Sequence, residues 1–260
     1  MNAAQLFVKC LENEKVQYIF GIPGEENIAV MDALLDSSIC FVTTHHEQGA
    51  AFMADVYGRL TGCAGVCMST LGPGATNLIT GVADANMDRA PVVAIAGQGA
   101  TTRLHKESHQ ILDLVNMFRP ITKYATQILE PEIVPEIVRK AFKVAQTEKP
   151  GAVFIDFPEN VADMLVDKEP IRVQTAYTSE APSHKLDQAA KLISAATSPV
   201  ILAGNGVVRQ GAAQSLVTFA ETLRIPVANS FMAKGGHALH QCVVAWLHWL
   251  ESIRPALVCL

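Results

Sequence analysis

The chain is 260 residues long, half of them hydrophobic and 17% charged, with a formal net charge of −5. That length holds one large domain or one and a half ordinary ones, and the composition can bury a sizeable core. No basic run or aromatic-basic interleaving points to nucleic acid, and no apolar run is long enough to span a bilayer, so neither nucleic acid nor membrane is an expected partner.

Residues 1–15 mix Lys9, Glu12, Glu14 and Lys15 with apolar positions, which reads as an amphipathic helix rather than a signal peptide. Short apolar runs then alternate with longer helical patterns. Strands are predicted at 16–21, 39–43, 63–69, 92–96, 121–125 and 152–157, and helices at 3–14, 28–35, 47–60, 76–87, 111–117 and 133–146. This alternation predicts an α/β fold, a doubly wound parallel sheet covered on both faces. From residue 163 the pattern loosens, and Glu169-Pro170 and Ala181-Pro182-Ser183 read as linker. The rhythm restarts with a helix at 186–195, a strand at 199–204, a helix at 212–223 and a strand at 225–228. The expected organisation is a first domain over 1–162, a linker over 163–184, a truncated second α/β domain over 185–235 and a tail over 236–260. The six cysteines are scattered without a C-x-x-C pair, which fits a reducing, cytoplasmic setting and argues against zinc. Cys63 and Cys67 fall in one predicted strand and should face the same side as small hydrophobes.

The strongest local signal is Thr44-His45-His46-Glu47-Gln48-Gly49-Ala50-Ala51, where a strand hands over to a helix. A lone Glu there is commonly a solvated residue favoured by the helix dipole. The small neighbours Gly49, Ala50 and Ala51 instead imply close packing and poor solvation, and a desolvated carboxyl can share a proton near neutrality. His45 and His46 are adjacent, so they point apart and make no metal pair; one should pack and one should line a cleft. Leu71-Gly72-Pro73-Gly74-Ala75-Thr76-Asn77 follows a strand and opens a helix, a turn at which a polar ligand can dock on backbone N–H groups. It is no dinucleotide fingerprint, because Asn77 stands where the third Gly belongs; Gly97-Gln98-Gly99 and Gly204-Asn205-Gly206 also lack it, and no P-loop occurs. A nucleotide-binding dehydrogenase is therefore poorly supported. His105, His109 and Gln110 lie in a polar stretch that, taken alone, reads as an exposed loop.

Taken together, Phe20-Gly21-Ile22-Pro23-Gly24, His46-Glu47-Gln48-Gly49-Ala50-Ala51-Phe52-Met53-Ala54, Tyr57-Gly58-Arg59, Gly72-Pro73-Gly74-Ala75-Thr76-Asn77-Leu78 and Ile121-Thr122-Lys123-Tyr124-Ala125 resemble the N-terminal half of a thiamine diphosphate-dependent enzyme of the acetolactate synthase group. Ile201-Leu202-Ala203-Gly204-Asn205-Gly206 and Phe231-Met232-Ala233-Lys234-Gly235 continue the likeness into the second domain. The resemblance implies a pyrimidine-binding first domain in which Glu47 hydrogen-bonds the cofactor ring nitrogen N1′ and promotes the imino tautomer that activates the thiazolium. Two pyruvates would then give acetolactate and carbon dioxide. Pro73, Gly74 and Asn77 match the turn near the cofactor, and His109 and Gln110 the substrate side. FAD-containing biosynthetic synthases tend to carry Phe at the position of His109, which brings this chain closer to the FAD-free catabolic branch. Related 2-keto acid decarboxylases and oxidases share the Glu and the Gly-Pro-Gly turn and stay open as alternatives, and FAD itself stays open.

The family's third domain holds the diphosphate and Mg²⁺ through a Gly-Asp-Gly segment, and no Gly-Asp-Gly occurs in these 260 residues. The expectation is a fragment inactive alone, which forms a homo-oligomer or pairs with an intact homologous subunit as a non-catalytic partner. After Lys234-Gly235 the tail leaves the family pattern. Trp has a single codon, so reading one base later turns Trp246-Leu247 and Trp249-Leu250 into Gly-x-x-Gly, which the family carries there. The match is partial, since the Gln241/Cys242 overlap allows only Asn or Ser where the family has His. The tail is expected to be a frameshift product that covers the open edge of the second domain or is disordered.

Overall fold

The computed structural model describes residues 1–104, 106–174 and 180–234, together with the backbone of 258–259. In chain order the first unit contains α1 (Ala3–Asn13), β1 (Tyr18–Gly21), α2 (Ile28–Leu34), β2 (Cys40–Thr43), α3 (Glu47–Thr61), β3 (Gly65–Ser69), α4 (Pro73–Met87), β4 (Val92–Gln98), α5 (Leu114–Phe118), β5 (Tyr124–Gln127), α6 (Val134–Gln146), β6 (Ala152–Pro158) and α7 (Glu159–Ala162). The second contains α8 (Ser183–Ala195), β7 (Ile201–Ala203), α9 (Asn205–Arg209), α10 (Ala213–Leu223), β8 (Val227–Asn229) and β9 (Val258–Cys259). By compactness the units are Met1–Ala176 and Tyr177–Leu260.

The first unit is a six-stranded sheet in the order β2-β1-β3-β4-β6-β5, with every pair parallel. The α/β class expected from the alternation is the one found. Period-2 alternation sends successive strand residues to opposite faces. Val93, Ile95, Val153 and Ile155 join the cluster under α1, α2 and α6, while Val92, Ala94, Ala152 and Phe154 join the one under α3, α4 and α5. α1 opens with a reciprocal cap: Gln5 N–H donates to Asn2 Oδ1 at 2.9 Å and Asn2 N–H donates to Gln5 Oε1 at 3.0 Å. Its partner α6 buries Val134, Ile137, Val138, Ala141 and Phe142 at helical spacing. A Glu14–Arg139 ion pair ties the two helices together. Lys123 Nζ closes the end of α6 by donating to the carbonyls of Val144, Thr147 and Lys149 at 2.5, 2.9 and 2.7 Å.

Several boundaries differ from expectation for local reasons. Residues 119–121 form a 3₁₀ turn and β5 starts only at Tyr124; Pro120 has no N–H to give a ladder. α4 starts at Pro73 rather than Thr76, because a proline at the first helical position has a preset φ and loses no bond. Asp113 caps α5, accepting from Asn116 N–H at 3.1 Å, so that helix begins at Leu114 rather than 111. Cys63 does not share a strand with Cys67: it lies exposed before β3, while Cys67 is buried inside it and burial pushes its thiol up to about 12.

In the second unit β7 pairs in parallel with β8 on one side and β9 on the other. Its core is small, built on Ile201, Ala203, Ala220, Ile225 and Val227, and α8 contributes no buried residue. The expected change of reading frame from Gly236 falls on residues outside those described; the part of the tail that is described, β9, lies along an edge of β7.

Candidate functional site

The chain enters the first sheet at β1, runs outward to β2, then crosses back to β3 on the other side of β1. Helix α2 after β1 packs on one face and α4 after β3 on the other. The turns leaving β1 and β3 stand at the carboxyl ends of the strands where the winding reverses, the end at which open parallel sheets bind ligands. The two turns are tied together: Thr70 Oγ1 donates to Glu26 Oε2 at 2.6 Å. They also touch, since a Cβ on Gly24 would meet Thr70 Cβ at 2.5 Å.

Glu47 is the first residue of α3 and is 9% exposed. His46 caps the helix, its Nδ1 accepting from Gln48 N–H at 3.1 Å. Both His45 and His46 are exposed, so neither packs as expected; a residue spent on a helix cap points outward with the first turn. Glu47 is drawn in by its partners. Asn77 Nδ2, from the second turn of α4, donates to Glu47 Oε2 at 3.0 Å. Gly74 leaves the room: a Cβ there would stand 3.3 Å from Glu47 Oε1. Among the described residues nothing donates to Oε1. The small-residue run acts partly as anticipated. Ala50, Ala51 and Ala54 are fully buried, and a Cβ on Gly81 would approach Ala51 Cβ to 2.6 Å, so α3 and α4 pack unusually close. Gly49, in contrast, is exposed and faces open space.

Of the two predicted substrate-side residues, Gln110 meets the predicted cofactor turn. Gly72 has φ 52° and Gln110 has φ 57°. A Cβ on Gly72 would lie 2.8 Å from both Cβ and the carbonyl oxygen of Gln110, so the two backbones are stacked and position 72 tolerates only glycine. His109 is exposed beside Gln110, and His105 lies outside the described residues. Glu47, Gly74 and Asn77 form one direct contact set, and Gln110 joins it through Gly72; among the described residues His109 makes no contact with that set.

Two family models match the chain. The thiamine pyrophosphate enzyme N-terminal domain, described as TPP binding, covers residues 1–117, and the thiamine pyrophosphate enzyme central domain covers residues 186–247. The chain belongs to the thiamine pyrophosphate enzyme family. Within that family it is 45% identical, over 90% of its own length, to a probable acetolactate synthase large subunit of Methanocaldococcus jannaschii. It is 40% identical over its whole length to another from Methanococcus aeolicus. It is 41% identical over 78% of its length to a catabolic acetolactate synthase of Raoultella terrigena. The chain spans only 41%, 45% and 36% of those three relatives.

The family's cofactor is thiamine diphosphate, and one feature here suits a ligand that offers a hydrogen: among the described residues nothing donates to one oxygen of the buried Glu47 carboxyl, which lies beside Gly74. The sequence reading missed a polar row on the same face of the sheet. Gln98 and Asp156, at the ends of β4 and β6, are each 1% exposed, and Gln127 Nε2 from β5 donates to Asp156 Oδ2 at 2.7 Å. The signal was present, a lone Asp inside Ala152-Val153-Phe154-Ile155-Asp156-Phe157, since a charged residue rarely stands fully buried in an apolar strand without a purpose. Thr70 and Glu26 had no such signal, because only the crossover brings them together.

Proposed function

We propose that this chain supplies the aminopyrimidine half of a thiamine diphosphate site in an acetolactate synthase, which converts two pyruvates to acetolactate and carbon dioxide. The observation that supports it most is the free oxygen of buried Glu47, held in place by Asn77. Glu47 would donate to, and share its proton with, the ring nitrogen; Asn77 would fix its carboxyl plane, and Pro73 and Gly74 would keep the adjacent turn low. When bound, thiamine diphosphate supplies the electron sink for breaking the carbon–carbon bond of a 2-keto acid. We assign Mg²⁺ and the diphosphate to a Gly-Asp-Gly segment of the kind the resemblance implies, a motif these 260 residues do not carry. His109 and Gln110 then face the substrate, and His109 favours the FAD-free branch, read out by the absence of flavin absorbance in the purified assembly. The location is cytoplasmic on this reading.

Isothermal titration with thiamine diphosphate tests the assignment. Binding should weaken at least about tenfold in Glu47→Ala, as expected for loss of a charge-assisted hydrogen bond; equal affinity in the variant would overturn it. The chain alone should form no acetolactate from pyruvate, and measurable turnover would refute the incomplete site.

A second reading, pairing with another homologous subunit, is favoured by the outer surface of α3. Phe52, Met53, Val56 and Leu60 lie exposed there. Co-purification with a full-length synthase supports it.

A further inference from the structure

Asp156 has no part in the chemistry assigned to Glu47, yet it is an expensive residue to bury. Its Oδ2 accepts from Gln127 Nε2 at 2.7 Å and from Gln98 Nε2 at 3.4 Å. Its Oδ1 has no hydrogen-bond partner among the described residues. Burial pushes the carboxyl up to about 7, the charge of Asp113 adds to this, and the two glutamine amides oppose it. A half-satisfied carboxyl in a closed core detracts from stability, and an apolar residue of similar size would pack there at less cost. Packing alone therefore does not account for it.

What distinguishes the site is the fork made by Gln98. Besides Asp156, its Nε2 donates to the Leu112 carbonyl at 3.1 Å, while its Oε1 accepts from Gly99 N–H at 3.1 Å. One amide thus grips both ends of the loop between β4 and α5. An amide can be turned over, which would set its oxygen against the Leu112 carbonyl and its NH₂ against the Gly99 N–H. The Leu112 carbonyl and the Gly99 N–H oppose that orientation, and the acceptor on Asp156 adds a third group that demands the NH₂ on its own side. The other anchors of the loop sit on α7 and hold the outgoing limb. Glu159 Oε1 accepts from Ala100 N–H at 2.9 Å and from Arg103 Nη1 at 3.1 Å, and Asn160 Oδ1 accepts from Thr101 N–H at 2.8 Å. The returning limb has the Arg103 Nε bond to Ser108 Oγ at 3.1 Å and then the Gln98 grip on Leu112. Between those two points lies Gln110, in a left-handed conformation with its backbone stacked on Gly72.

We propose that Asp156 is a positioning residue: as the third partner of the Gln98 amide it steadies the grip on Leu112, and thereby seats Gln110 against the Gly72 turn. Its catalytic consequence rests on the reading of Gln110 as a substrate-side residue; the positioning itself does not.

Amide hydrogen exchange on the full chain, without cofactor or substrate, tests this. Asp156→Val is close in size and removes the acceptor, and should speed exchange at the hydrogen-bonded amides of Ile111 and Leu114 roughly tenfold, the usual scale for one lost hydrogen bond. Amides of β3 should stay within about twofold, since the core is intact. Asp156→Asn keeps an acceptor for both glutamines and should restore wild-type exchange in the loop. Gln98→Met, which removes the grip itself, should match Asp156→Val and serves if that variant does not fold. Wild-type exchange at Ile111 and Leu114 in Asp156→Val, or in Gln98→Met, overturns the proposal. So does loosening of β3 in step with the loop, or failure of Asn to rescue. Because the chain is ligand-free, failure here is separate from failure of the Glu47 assignment, which the titration reads.

Discussion

The two faces of the six-stranded sheet are filled with different material. Under α1 and α6 lie large side chains, among them Phe7, Leu11, Met68, Ile95 and Phe142. Under α3 and α4 lie mostly small ones, Ala50, Ala51, Ala54, Ala75 and Ala94. Large side chains keep helix and sheet apart and bury much apolar area, which is how a face stabilises a fold. Small ones let backbones approach: a Cβ on Gly65 would fall 2.0 Å from the Ala54 carbonyl oxygen. That close approach sets the start of α3 beside the start of α4, so Asn77 can reach Glu47. One face secures the fold, and the other gives up buried area to bring a carboxylate and a turn together.

Opposite changes in volume should therefore hurt the two faces. Phe142→Ala empties the large-residue face and should cost about 3–5 kcal/mol in chemical denaturation. The same deletion of volume is impossible under α3, where adding a methyl is the damaging change. Gly81→Ala should cost about 1–3 kcal/mol through its clash with Ala51. If Gly81→Ala proves neutral and thiamine diphosphate binding survives, the close packing does not serve the site.

The site face also carries the buried Asp156, and this gives it a pH dependence of its own. The folded state holds this proton up to about pH 7, whereas the ordinary carboxyl value is 3.8. Between those values the folded chain binds more protons than the unfolded one, so stability falls as pH rises. At about 1.4 kcal/mol per pH unit the ceiling is about 4 kcal/mol. Comparing wild type with Asp156→Asn cancels the other titrating groups. The stability of wild type relative to the variant should decline from pH 5 to pH 8 and then level. A flat difference would mean that Asp156 ionises at its ordinary value.

How much of this was legible follows the range of the interactions. The helices and strands were written in local periodicity, and the ends that slipped did so at Pro120, Pro73 and Asp113, where a single residue's backbone or cap overrides the pattern. Glu47 was found because small residues flank it in sequence. The Thr70–Glu26 bond and the Gln98–Asp156–Gln127 set join segments 44, 58 and 29 residues apart, and no local pattern encodes such pairings. The exposed histidines were misread for a related reason. Position at a strand end says that a side chain is near a turn, not whether the turn spends it on a cap.

The smallest expected effect on stability is the most informative about assembly. α3 carries apolar residues on two sides, with Ala50, Ala51 and Ala54 turned into the core and Phe52, Met53, Val56 and Leu60 turned out. A surface helix of a monomer normally carries polar residues on its outer side. Leu60 is 82% exposed, so Leu60→Asp should change the stability of the isolated chain by less than about 0.5 kcal/mol. If the outer stripe of α3 meets another subunit, the same substitution places a charge in an apolar contact and should weaken association far more than it weakens folding. Sedimentation velocity across a concentration series separates the two effects. Wild type should shift to a heavier species as concentration rises, and Leu60→Asp should need a concentration at least about tenfold higher to do so, the equivalent of about 1.4 kcal/mol. A wild-type chain that stays monomeric at every concentration, and also ignores a full-length synthase, would remove the pairing reading and leave the stripe as bare apolar surface.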